Sequence, residues 1–542
     1  MRSTESWPGH PDIRVRLLAL ACTFASLAAL PAQDPPVLLR DVEEEFQALQ
    51  RHADPPAMRT MDRILRRLSG LRYAGSAARA RARRFLEAAA ARQASVTYLR
   101  VRVAAVETLV ELGPDAGDLD WLLALARRRD QPAFEGMGFF VERALRALRS
   151  PEAVRSLLSR LEKSGDEAVR VCLGALARLD DEDLALLALP FLPVILDLAR
   201  EAPTEIRERA LLLLGRLPDT RALPAIVEGA VSREITLRLA AAEALGGHAE
   251  RDAARRILED LAVDPQPRVR ETAFASLGRD GAEAVPFLIR RMPLETLRNR
   301  AAVADALQRL TGRDLGRSPE AWREWFEATH ANGGGLPRPP RGTERPRYAR
   351  RYYGIPVTSD RLLFILDVSG SMAFKSEGRQ ACTRLEIARR ELEHTLGLLG
   401  PATRFNIITF STSPLPFHRE GLVPASRARV RKAVRFLERQ GANGGTNTYA
   451  ALRMAFDRFP EADTIYFLSD GSPTVGAVIS QELILYRVHR WNASRRVRIH
   501  GIALLTGRAP DIPSAAEDDP EDAWRFMRSL AAMTGGVAVR SP

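Results

Sequence analysis

Two rhythms of apolar residues divide the chain. From about residue 95 to 330 apolar positions return every three to four residues, the helical period, in a recurring phrase: "VRVAAVETLVELG" at 101, "VRVCLGALARLD" at 169, "IRERALLLLGRLPD" at 206, "LRLAAAEALGGH" at 237, "VRETAFASLGRD" at 269 and "NRAAVADALQRL" at 299. In the last five of these phrases the arginine near the start is Arg170, Arg207, Arg238, Arg270 and Arg300, at spacings of 37, 31, 32 and 30 residues. A short turn and a second apolar helix, such as "RALPAIVEGAV" (221–231), follow each phrase. Helix pairs at a nearly fixed period predict stacked units that bury their faces only against neighbours. The repeated arginine is expected to be structural, reaching an acidic side chain or carbonyls of the next unit. At 310–328 Ser318 and Pro319 predict a helix start, and Trp322, Trp325 and Phe326 are expected to cover the last unit's open face. Residues 33–94 are helical by composition without a clear repeat, and are taken as an N-terminal helical extension.

From 359 to 542 the pattern changes to short apolar runs alternating with helices. "RLLFILDVS", "RFNIITFS" (404–411), "TIYFLSD" (464–470), "VRIHGIALLT" (497–506) and a last "VAVR" predict strands. "TRLEIARRELEHTLGLLG" (383–400), with Thr383 and Glu386 as a capping box and Gly400 as its stop, "SRARVRKAVRFLERQG" (426–441), "GGTNTYAALRMAFDRF" (444–459), "QELILYRVHRWNA" (481–493) and "AWRFMRSLAAMTGG" (523–536) predict helices. This alternation implies a doubly wound α/β sheet, in which ligands sit beyond the carboxyl ends of the strands. The fold expected of the whole is an all-α solenoid followed by a doubly wound α/β domain.

That rule collects the isolated polar groups. Asp367, Ser369 and Ser371 leave one buried strand, Asp470 leaves another, and Thr446 sits in a glycine-rich loop that opens a helix. An ionised carboxylate at the end of a strand buried on both faces is costly unless paired. Two carboxylates and three hydroxyls are hard oxygen donors suited to Mg²⁺, with Mn²⁺ and Ca²⁺ compatible with the same set. Gly370, Gly444 and Gly445 allow close backbone approach.

At this point both halves carry a resemblance. The helix pairs resemble HEAT-type repeats, on the short side of their period. "DVSGSM", "GGTNT" and "LSDGSPT", in this order, resemble the metal-ion-dependent adhesion site of von Willebrand factor type A domains. The second resemblance covers 359–542, about a third of the chain. It implies that Ser369, Ser371 and Thr446 bind the metal directly, that Asp367 and Asp470 bind it directly or through water, and that an Asp or Glu of a protein partner fills an open position. The domain is then a binding module, not an enzyme. The loop "AFKSEGRQACT" (373–383), longer than usual, is expected to shape or shield the site.

Composition and charge refine the picture. The 542 residues exceed one core. The net charge is +12, and lysine occurs only at 163, 375 and 432. The linker "ANGGGLPRPPRGTERPRYARRYYGIPV", within 331–358, holds six Arg and one Glu. Residues 359–542 hold 25 basic and 19 acidic residues. The solenoid is therefore nearly neutral and does not show, in net charge, the basic stripe expected of a nucleic-acid-binding array. Cys22, Cys172 and Cys382 give neither a disulfide framework nor zinc-ligand spacing. Arg14 and Arg16, the apolar "LLALACTFASLAAL" (17–30) and Ala32 follow the pattern of a signal peptide over 1–32, so export is expected, to the periplasm, cell surface or medium. No other stretch is long and apolar enough to span a bilayer. The alternatives are a cytoplasmic assembly factor acting with an ATPase, which signal cleavage excludes, and a metal-dependent hydrolase. The hydrolase lacks support: no His-rich cluster, G-x-S-x-G elbow or P-loop is present, and no Lys or His lies within the three motifs.

Overall fold

The computed structural model describes residues 35–49, 55–91, 98–128, 131–163, 165–180, 183–246, 248, 251–279, 281–331, 350–375, 382–505 and 520–541. The expected leader, most of the linker and the tip of the 373–383 loop lie outside these residues.

The first half is a helical solenoid. The helices Leu99–Leu112, Met137–Leu145, Asp166–Leu176, Thr204–Leu214, Ile235–Leu245, Pro267–Leu277 and Leu297–Thr311 pack in succession along the array. The helices Pro35–Leu49, Pro55–Arg66 and Ser76–Ala91 extend the same apolar core toward the N-terminus. The repeated arginines tie the stack. Arg238 Nε lies 2.7 Å from Asp264 Oδ2, and Arg270 Nε lies 3.0 Å from Glu295 Oε1, both carboxylates being buried. Arg300 reaches the carbonyls of Pro293 and Glu295. Three depart from the expected direction: Arg300 reaches back to the turn before its helix, Arg207 donates back to Ala199 O at 3.1 Å, and Arg170 pairs with Glu167 in its own helix at 2.6 Å. Trp322 is buried, its indole N–H donating to Gly316 O at 2.8 Å, and its ring stands edge-on to Trp325. Ser318 caps that helix, accepting from Ala321 N.

The second half is a three-layer α/β domain. A short hairpin, β1 (Arg351–Tyr352) and β2 (Ile355–Pro356), leads into β3 (Arg361–Asp367), α1 (Arg384–Gly397), β4 (Arg404–Phe410), β5 (Pro414–Pro416), β6 (Val423–Pro424), α2 (Arg427–Glu438), α3 (Thr448–Arg458), β7 (Thr464–Ser469), α4 (Gln481–Asn492), β8 (Arg498–Ala503), α5 (Pro520–Met533) and β9 (Ala538–Arg540). The sheet order is β5-β4-β3-β7-β8-β9, with β6 also on β4. β4, β3, β7, β8 and β9 run parallel; β5 and β6 are antiparallel. Alternate side chains of β3 serve opposite faces, as the strand period of two requires. Leu362, Phe364 and Leu366 pack under α1 and α2, and Leu363 and Ile365 under α3, α4 and α5. This two-sided burial is why the run reads as continuously apolar. The domain begins inside the stretch expected to be linker: Tyr352 is buried against the rings of Phe364 and Tyr466, at 5.4 Å each, and Tyr466 donates to Pro356 O. The helix start at Thr383 has the expected capping box, but α1 stops at Gly397, not Gly400.

The halves touch along α4, α5 and the turns that enter β7 and β8. Leu483 of α4 belongs to the solenoid's core. Arg298, nearly buried, donates to the backbone of Asp463 and, at 3.0 Å, to Arg496 O. Arg268 donates to Arg495 O at 2.8 Å, Arg487 pairs with Glu135 at 2.6 Å, and Arg100 joins Asp62 to Asp522. A charged cleft of about 1320 Å³ remains between them.

Candidate metal centre

In a 2-1-3-4-5 parallel order the connections leave β3 and β7 on opposite faces, opening a crevice at their carboxyl ends. β3 ends at Asp367 and β7 at Ser469, one residue before Asp470. The two carboxylates thus arrive at one edge because strands 102 residues apart pair in register, Leu366 beside Leu468.

Asp367 is fully buried. Its Oδ1 accepts from Ser369 N at 2.8 Å and its Oδ2 from Ser469 Oγ at 2.5 Å. Burial, and next the neighbouring Asp470 charge, push its carboxyl up to about 7, against the opposing pull of the two serines. Beyond Ser369 a single 3₁₀ turn, Gly370–Ala373, carries Ser371 back toward the sheet. Ser371 Oγ donates to Asp470 Oδ1 at 2.8 Å and lies 3.2 Å from Ser369 Oγ. Asp470 is also raised by burial, opposed first by Arg384, whose Nη1 donates to Oδ2 at 2.9 Å.

Backbone hydrogen bonds lock three loops together around this cluster. Gly370 N donates to Gly444 O at 3.0 Å and Asn443 N to Val368 O at 2.9 Å. Gly444 holds φ +74°, where a Cβ would stand 2.7 Å from Thr412 Oγ1. Thr446 N donates to Thr474 Oγ1 at 2.8 Å, and Thr446 O accepts from Thr474 N at 3.0 Å. Asn447 then caps α3, accepting from Ala450 N.

Of the five residues named from the sequence, Asp367, Ser369, Ser371 and Asp470 are therefore joined in one chain of hydrogen bonds. Thr446 stands on the adjoining loop, nearly buried, its hydroxyl bonded to none of the four. Arg384, Ser469 and Thr474 were not singled out. Arg384 had a signal: a cation in a helix's first turn works against the helix dipole. The site's donors are oxygens alone. Among the described residues no group of three or more His, Cys, Asp or Glu is placed to hold a metal ion, and at this site two carboxylates supply the negative charge. Hard donors of low total charge, two of them buried acids held close, fit Mg²⁺ or Mn²⁺.

Comparison with known proteins agrees with both halves. Residues 362–472 match the von Willebrand factor type A domain family and 192–278 the HEAT repeats. The match to human inter-alpha-trypsin inhibitor heavy chain H4 is 37% identical over 134 residues, 23% of this chain and 13% of that protein. The match to human heavy chain H6 is 28% identical over 200 residues, 34% of this chain and 13% of that protein. Among solved structures, a von Willebrand factor type A protein from Catenulispora acidiphila is 19% identical over 33% of this chain and 38% of its own, with a TM-score of 0.26. Kap121p bound to Pho4p is 14% identical over 56% of this chain and 36% of its own, with a TM-score of 0.38. The chain thus carries HEAT repeats followed by a von Willebrand factor type A domain, and it spans about an eighth of the curated relatives' length.

Proposed function

We propose that this chain is a protein-interaction protein whose type A domain, a class of domain that mediates protein–protein contacts, binds an acidic group of a partner through a divalent cation, the HEAT repeats serving as scaffold. The observation that carries this reading is the cluster itself: Asp367 and Asp470, both buried at the sheet's switch point, the first held by Ser469 and the second by Ser371, and flanked by Thr446. Asp367, Ser369, Ser371, Thr446 and Asp470 would hold the ion. The ion, when bound, supplies a Lewis-acidic position for an anionic oxygen. The chain's own part is to keep the donors in place: Ser369 N and Ser469 fix the Asp367 carboxylate, Ser371 orients Asp470, and the Gly370–Gly444 bond holds the Thr446 loop against the first. On this reading the site binds and does not turn over, the serine hydroxyls serving to hold the carboxylates.

Immobilised full-length chain should retain a protein from periplasmic extract in Mg²⁺ and release it in chelator, and Thr446→Ala should retain none. Capture indifferent to chelator would overturn the metal-dependent reading. Export belongs to the same proposal, supported by Arg14, Arg16 and the apolar segment 17–30. Mass spectrometry of the native protein should find a mature N-terminus near Gln33, and an intact Met1 in cytosol would refute it.

A further inference from the structure

Arg384 is the first residue of α1, immediately after the capping Thr383. Helix N-termini carry partial positive charge, so a cation there is disfavoured, and burying it adds a desolvation cost. Yet the residue is only 7% exposed. Its guanidinium lies 5.3 Å from the Phe374 ring, and its backbone N–H donates to Phe374 O at 2.9 Å. Its Nη1 is 2.9 Å from Asp470 Oδ2, while Asp470 Oδ1 takes the Ser371 hydroxyl at 2.8 Å. Asp470 is thus divided between two directions: one oxygen toward the serines and the other toward a fixed cation. Among the described residues Arg384 is the only basic side chain in an ion pair with either carboxylate of the site.

We propose that Arg384 is a positioning residue that sets the charge of this site, resting on the reading of the site as a divalent-cation centre. With both carboxylates ionised, two carboxylates and one guanidinium leave the empty site at −1 and the loaded site at +1. Without Arg384 those values become −2 and 0. The guanidinium therefore weakens cation affinity and leaves the loaded site electropositive, which favours an anionic oxygen from outside. It also holds the Asp470 carboxylate in place while the site is empty.

The test is titration calorimetry of the full chain with Mn²⁺ and with Mg²⁺, for wild type, Arg384→Gln, Arg384→Lys and Thr446→Ala. Arg384→Gln should bind either ion at least about tenfold more tightly than wild type, because a positive charge near the ion is gone. Arg384→Lys should return toward wild-type affinity. On Mn²⁺-loaded protein, paramagnetic broadening of the acetate methyl resonance should require higher acetate in Arg384→Gln. A purely structural arginine predicts the opposite sign, since loosening the site can only weaken the ion. Equal or weaker affinity in a folded Arg384→Gln, judged by circular dichroism and gel filtration, would overturn the proposal alone. Should that variant fail to fold, Arg384→Met, which keeps an uncharged, unbranched side chain beside Phe374, carries the same expectation. Absence of any cation binding in wild type would overturn the reading of the site together with this proposal.

Discussion

The Asp367 carboxyl is the most strained titratable group of the site, and its sign is testable. Its folded pKa, about 7, lies above the ordinary carboxylate value, so the folded state holds the proton more tightly than the unfolded chain does. Stability from this group is fully present below the unfolded pKa, near 4, and is lost as pH rises toward 7. In chelator, Asp367→Asn should be more stable than wild type at pH 8, by roughly 1–4 kcal/mol, and equal to it near pH 4. Saturating Mg²⁺ should erase the gain by stabilising wild type alone. Urea melts at both pH values check this, and parallel curves would show that the carboxyl is not strained. Four of the five candidate ligands were legible because they end or closely follow apolar strands, where an acid or hydroxyl has no packing reason to be. Arg384 and Ser469 were not. Their roles depend on partners 86 and 102 residues away, and only the sheet register brings them together.

At the scale of elements, the long parallel strands and their helices were legible because burial on both faces writes an unbroken apolar run. The short edge strands were not: β5 is Pro-Leu-Pro and β6 is Val-Pro, and proline is confined to sheet edges, where it reads as a turn. The β1–β2 hairpin was hidden in the Arg-, Gly- and Pro-rich texture that precedes it; its Tyr352 joins the core only through rings contributed by β3 and β7. The end of α1 was misplaced because Gly400 looks like a stop, whereas the helix ends at a glycine three residues earlier. The glycine-rich loop before α3 matters through one position. Gly444→Ala forces a Cβ onto a positive φ and toward Thr412, which should cost about 1–2 kcal/mol in a urea melt and also weaken Mg²⁺ binding, because Gly444 O anchors the first loop through Gly370 N. A variant as stable as wild type with unchanged affinity would show that this loop does not position the site.

For the whole molecule, the linker's texture predicted two separate bodies, and the structure adds a buried, arginine-rich contact between them. Trypsin should cut first at Arg341 or Arg347, since Arg338 and Arg345 each precede a proline, yet the nicked halves should elute together in gel filtration. Arg298→Ala removes the donors to Asp463 O and Arg496 O and should let the nicked halves separate. Co-elution of nicked Arg298→Ala would mean that this residue does not hold the contact, and first cuts within 100–320 would argue against the solenoid as a unit. The contact lies on the α4–α5 side and leaves the sheet's carboxyl edge as the distinctive surface, so the account stands or falls on the ion. Its most direct test is a thermal or urea melt of the full chain against Mg²⁺ and Mn²⁺, with Thr446→Ala beside wild type. At about 100 times the dissociation constant, wild type should gain about 2.7 kcal/mol, and Thr446→Ala, equally folded, should need several-fold more metal for the same gain. No shift in wild type at millimolar Mg²⁺ or Mn²⁺, or a Thr446→Ala titration identical to wild type, would contradict the assignment.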